Sequence, residues 1–151
     1  MTTKIADIYD AIITKISTEL PTYARIPNPY AIDENTALFL KRSYGLAIGA
    51  GVNTQRYVGC LTSWEREYTI NLITQVVNTE NDTTGRALVE KGLIDAHRLL
   101  LLAFERDPSL GGICIKAIVT DDSGIQYIDG QQSKFLAVEL SLAVEYQEST
   151  T

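Results

Sequence analysis

The stretch Lys134-Phe135-Leu136-Ala137-Val138-Glu139-Leu140-Ser141-Leu142-Ala143-Val144-Glu145-Tyr146 decides the fold. Leu136, Val138, Leu140, Leu142, Val144 and Tyr146 fall on every second position, and a β-strand sends alternate side chains to opposite faces. One face therefore belongs to a core. The other shows Glu139, Ser141 and Glu145, so it meets water or a polar partner. A strand with one wet face fits a mainly antiparallel sheet that is covered on one side only.

Upstream of it the sequence predicts further strands. Ile113 to Thr120 reads as a strand, Asp121-Asp122-Ser123-Gly124 as a hairpin turn, and Ile125 to Ile128 as the returning strand. Asp129-Gly130-Gln131-Gln132 then turns into the last strand. Before these comes a helix from roughly Thr84 to Glu105. Val89, Leu93, Ala96, Leu100 and Phe104 form its stripe, and Leu88, Leu99 and Ala103 widen it. Asp107-Pro108 and Gly111-Gly112 end it. From Ala37 to Val77 the pattern is again that of strands: one through Phe39 to Gly51, one through Arg56 to Leu61, and one in which Tyr68, Ile70, Leu72 and Thr74 alternate with their neighbours.

Thr22 to Thr36, with Pro27 and Pro29, reads as an ordered connector. The first element is a helix, because Ile5, Ile8, Tyr9, Ile12, Ile13, Ile16 and Leu20 keep the 3.6-residue period up to Pro21. The predicted order is α-β-β-β-α-β-β-β, an α+β domain over residues 1–151 with two helices packed on one face of the sheet.

The chain has 151 residues, with 13 Lys and Arg against 19 Asp and Glu, for a net charge of −6. The mixed charges and an apolar share of 45 % argue against disorder. The acidic balance argues against a duplex-binding surface, which needs cations to neutralise phosphates. The start of the chain lacks the apolar segment of a secretory signal, and the longest apolar run, Leu99 to Phe104, falls far short of the roughly 20 residues a spanning helix needs. Cys60 and Cys114 are too few for a disulfide framework and are expected as buried thiols in strands, in a protein made in a reducing cytoplasm.

Candidate chemistry is sparse. The one histidine, His97, lies mid-helix with Asp95 two residues away and turned elsewhere, which suits a surface or boundary position. No ligand spacing for a metal is present, and no cofactor is expected. Gly45, Gly49 and Gly51 suggest a phosphate loop, but no Lys-Ser/Thr pair and no helix follow, so they read as bends or bulges in extended chain. Asp121 and Asp122 read as turn formers. Lys41, Arg42 and Arg56 suit a rim of ion pairs to a partner protein. Tyr23, Tyr30, Tyr44 and Tyr57 sit in loop-like or edge contexts that suit an interface. No enzyme reading survives, and an oligomer is favoured.

The segments Phe39 to Gly49, Gly51-Val52-Asn53-Thr54-Gln55-Arg56 and Arg66-Glu67-Tyr68-Thr69-Ile70 resemble the tail terminator family of long-tailed bacteriophages. These are the relatives of the minor tail protein U of phage lambda, also called tail completion proteins. The second helix, Asp107 to Gly112, the following strands and Leu136 to Tyr146 continue the same layout. The resemblance runs from the first helix to about Glu148 and rests on layout and loose motifs rather than on a catalytic signature.

It implies an α+β subunit that assembles as a hexameric ring on the head-proximal end of the tail tube, within the virion neck. The ring stops tube polymerisation and offers the surface on which the head–tail connector or stopper protein docks, with no membrane involved. The family brings no catalytic residue, metal or cofactor. Lys41, Arg42, Tyr44 and Arg56 are the candidates for a ring face, with Asp121 and Asp122 at a loop tip. A head–tail stopper, a neck adaptor or a tail-tube subunit is the neighbouring alternative, and a small-ligand-binding or enzyme domain the more distant one. DNA passing through such a ring must not stick. Six copies would carry a formal charge of about −36, so a negative lumen is expected, with Glu80, Asp82, Glu139 and Glu145 as its candidates.

Overall fold

The fold comes from a computed structural model that describes residues 4–25, 42–58, 61–76, 83–129 and 134–149, the side chains of 55–58 and 129 excepted. Helix α1 spans Lys4–Glu19. Ile8, Ile12 and Ile16, one per turn, lose all exposure, while Ile5, Tyr9 and Ile13 pack against the same core. Helix α2 spans Thr83–Arg106 and buries Val89, Leu93, Ala96, Leu100, Ala103 and Phe104. Beyond it the chain makes a left-handed turn, with φ of 52° at Leu110, 73° at Gly111 and 90° at Gly112. A leucine in that region costs about 1–2 kcal/mol. Leu110 is held there by burial in the core, at 4 % exposure.

Six strands make one sheet: β1 (Ala24–Arg25), β2 (Arg42–Val58), β3 (Leu61–Val76), β4 (Lys116–Asp122), β5 (Gln126–Asp129) and β6 (Lys134–Ser149). Their order is β1-β2-β3-β6-β4, with β5 also beside β6. β1 runs parallel to β2 and every other pair is antiparallel, so the sheet is mixed. At about 3.3 Å per residue, β2, β3 and β6 run for roughly 50 Å.

The register sorts the sheet into two faces. Tyr44, Leu72 and Val138 lie in one row and Leu46, Ile70 and Leu140 in the next, followed by Tyr68 with Leu142. These residues and the buried faces of both helices form one cluster. The Tyr68 hydroxyl donates to Ile5 O of α1 at 3.1 Å, and the Tyr44 hydroxyl meets Ser17 Oγ at 3.0 Å. The opposite face has only a small cluster of its own, Ile73, Phe135 and Ala137 with Ile128.

Four expectations change. Gln55 and Val58 still pair with β3, so Arg56 to Leu61 is no separate strand: β2 continues from Arg42 to Val58 through three register shifts. Ala24–Arg25, inside the expected connector, is a short parallel strand. Cys114 is buried as expected, but in the turn before β4.

The fourth change is the largest. β4 and β5 do not pair with each other, and both lie along the same side of β6. They are two halves of one broken edge strand. The break at 123–125 holds its place through side chains. Ser123 N donates to Glu139 O at 2.9 Å, and Ser123 Oγ accepts from Glu139 N at 3.0 Å. Asp122 Oδ1 accepts from Gly124 N at 2.8 Å, with Gly124 at φ 70°. The same Asp and Ser hydrogen bonds that favour a turn here support a bulge. Ala37 to Leu40, most of the 22–36 connector and Cys60 lie outside the described residues.

Candidate functional site

The face of the sheet that no helix covers is the candidate site. On β3, Glu65 and Glu67 alternate with Trp64, Arg66 and Tyr68, so both point away from the helices. On β6, Glu139 and Glu145 do the same, and on β4 the register shift after Val119 turns Asp121 to this side, opposite Ser141. All five carboxylates are exposed. Among the described residues of the sheet, Lys116 is the cation on this face, opposite Glu145. Glu145 also stands directly opposite Glu65. Like charges across an antiparallel pair are destabilising, so the sheet carries an electrostatic cost here that its fold does not require.

β2 leaves this face low. Ser43, Gly45 and Ala47 lie opposite Ile73, Asn71 and Thr69. Between β2 and β5 runs a groove of about 580 Å³ whose polar lining is Thr69, Asn71, Gln126 and Glu139. The glycines serve the backbone rather than a phosphate. A Cβ on Gly49 would stand 2.9 Å from Glu67 O, which fixes glycine at the bulge between Ile48 and Gly51.

The sequence-derived candidates scatter. Glu139 and Glu145 share the open face. Asp121 joins them from within β4 rather than from a loop tip, while Asp122 points to the helix side, in register with Leu140. Arg42 is exposed at the start of β2. Tyr44 is 2 % exposed and belongs to the core, because strand alternation puts it on the helix-covered face; it offers no contact surface. Tyr23 is likewise buried, with its hydroxyl 3.4 Å from Thr74 Oγ1. Lys41, Glu80, Asp82 and Tyr30 lie outside the described residues, as do the side chains of Arg56 and Tyr57. Glu65 and Glu67 were missed as site residues, although the alternation of Trp64-Glu65-Arg66-Glu67-Tyr68 carries the signal.

A larger groove, about 730 Å³, separates α1 from the 107–113 turn. Two of its charged groups, Lys15 and Asp107, are paired with each other. Lys15 Nζ reaches Asp107 Oδ2 at 3.2 Å and lies 5.9 Å from the centre of the Phe104 ring. The Gly111 N–H and the Lys15 ammonium together hold the Asp107 carboxyl below the usual carboxylate range. This groove fastens a helix to a turn.

Two buried groups titrate abnormally without forming a reactive centre. Burial pushes the Cys114 thiol up to about 11, and the Asp107 charge adds to it. Burial, then Tyr146, raises the Tyr68 phenol. His97 sits at the α2 boundary, its Nε2 3.4 Å from Asp122 Oδ2 but not aligned as a hydrogen bond. Among the described residues no cluster of three His, Cys, Asp or Glu can hold a metal, and no helix is long and apolar enough to cross a membrane.

In comparisons with known proteins, no family model matches the chain and no curated protein matches its sequence.

Proposed function

We propose that the chain is a structural, non-catalytic virion protein of the tail terminator kind. In this reading six copies close a ring on the head-proximal end of the tail tube, stop its growth and present the surface for the head–tail connector. Closed rings of identical subunits form when one patch of the subunit meets a different patch of the next. The observation that supports the reading is the acidic open face, where Glu65, Glu67, Asp121, Glu139 and Glu145 gather beside Lys116. A ring with this face toward its bore repels DNA phosphates over about a Debye length, roughly 8 Å at physiological salt. DNA then passes without being held. The Glu65–Glu145 repulsion fits too, since local conflicts of this kind gather at working surfaces.

The test is to examine purified protein by light scattering and negative-stain microscopy, with and without assembled tail tubes. Rings at one end of each tube are the expected result. Protein that neither rings nor binds tube ends would sink the reading, and spontaneous long tubes would replace it with that of a tube subunit. Monomer in dilute solution is compatible, because ring formation can wait for the tube end.

A further inference from the structure

We propose that His97 and Asp122 form a proton-operated clasp between helix α2 and the break in the edge strand. When His97 is protonated the clasp fastens the break at residues 123–125 to the helix, and when it is neutral the clasp loosens.

The geometry carries this. His97 forms part of the wall of a hollow of about 170 Å³, together with Leu93 and Ile94 of α2, Asp122, Gly124 and Ile125 of the edge strand, and Val138 of β6. Its Nε2 has no exposed surface and no hydrogen-bond partner, yet it lies 3.4 Å from Asp122 Oδ2. A neutral imidazole meets the carboxylate with a lone pair or, in the other tautomer, with an uncharged N–H, so the contact then lacks a charge pair. A protonated one places a cation 3.4 Å from the carboxylate, whose side chain is 45 % exposed, so the attraction is partly screened by water and acts at the buried Nε2.

Asp122 passes the effect on. Its other oxygen, Oδ1, accepts from Gly124 N at 2.8 Å, so the carboxylate that faces His97 also holds the backbone of the break. Among the described residues that line the hollow, Asp122 is the only other charged one. One turn away on α2 stand Leu93, Ile94, Leu100 and Leu101. β6 offers Val138, and Glu139 belongs to the opposite face. β5 has its own tie to α2, through Arg86 Nη2 and the Tyr127 hydroxyl at 3.3 Å. The clasp therefore governs the break more than the far end of β5.

The sign follows. Protonating the imidazole while Asp122 stays ionised adds a charge pair to the contact, and losing that proton removes it. The clasp therefore tightens on the acid side and loosens as the pH rises.

Hydrogen–deuterium exchange of the full chain, corrected for the intrinsic pH dependence of exchange, tests this at about pH 5.5 and about pH 8. Peptides covering 122–128 are expected to be several-fold better protected at the lower pH. That difference should vanish in Asp122→Asn, which keeps an acceptor for Gly124 N, and in His97→Gln. Equal protection at both pH values, or a pH dependence that survives both substitutions, would overturn the clasp. Because the chain has a single histidine, its ring resonances also titrate as one set. The midpoint should fall in Asp122→Asn, and an unchanged midpoint would equally overturn it.

Discussion

Arg66 lies across the backbone at Gly51: a Cβ on that glycine would stand 2.5 Å from Arg66 Nη2 and 2.6 Å from its Cζ. From there the guanidinium donates to Gly49 O at 3.0 Å and to the Tyr146 hydroxyl at 3.2 Å. One arginine thus ties the β2 bulge to β3 and β6. Gly51→Ala must displace it, and is expected to lower stability by about 1–3 kcal/mol in urea unfolding. Gly92→Ala is the control. Nothing beyond its own helix lies within 4 Å of a Cβ added at exposed Gly92, so stability should rise by about 0.5–1 kcal/mol.

Glu65 and Glu145 repel each other across the open face. Glu65→Gln should therefore raise the urea midpoint, by about 0.2–1 kcal/mol in stability. A loss of stability would show that Glu65 has a stabilising partner.

Asp107 contributes stability that depends on pH. Its carboxyl titrates below the usual range because it accepts from Gly111 N–H and pairs with Lys15. The folded state thus holds its proton less tightly than the unfolded chain. The contribution is complete above the ordinary carboxylate range near 4 and is lost as the pH falls through the lowered value. Asp107→Asn should be less stable than the parent at about pH 7, and the gap between the urea midpoints should narrow as the pH falls below the ordinary carboxylate range.

Cys114 is 8 % exposed, with its thiol pushed up to about 11 by burial. Peptide-resolved alkylation at about pH 8 should modify it only in unfolding concentrations of denaturant. Fast modification of the native protein would mean that the turn before β4 opens freely.

The sequence was most legible where one period ran unbroken. Ile8, Ile12 and Ile16 located α1 and its buried side, and Leu136 to Tyr146 located the core face of β6. It was least legible where one chemistry serves two geometries. Asp122, Ser123 and Gly124 make side-chain hydrogen bonds suited to a hairpin turn, and here those bonds carry an edge strand past a bulge. Only the pairing with β6 distinguishes the two outcomes. Of the five carboxylates on the acidic face, Glu139 and Glu145 were read from the sequence, and the alternation of Trp64 to Tyr68 carries Glu65 and Glu67. The outward turn of Asp121 and the meeting of Glu65 with Glu145 needed the register. Tyr44 looked like a contact residue until strand alternation put it under α1.

Reversing charge on the open face should change how assembled rings treat DNA without unfolding the subunit. Glu139 and Glu145 are exposed, so Glu139→Lys with Glu145→Lys should shift stability by no more than about 1 kcal/mol. Filter binding at low salt should retain DNA on variant rings and not on parent rings. Equal retention by both would place this face away from the bore.

In the proposed reading this face lines the bore of a ring at the tube end. Electron cryo-microscopy of the protein bound to tail-tube ends measures that directly. The expected result is a single terminal ring whose inner wall carries Glu65, Glu67, Glu139 and Glu145. A basic inner wall, a bore lined by α1 and α2, or protein that never occupies the tube end would contradict it.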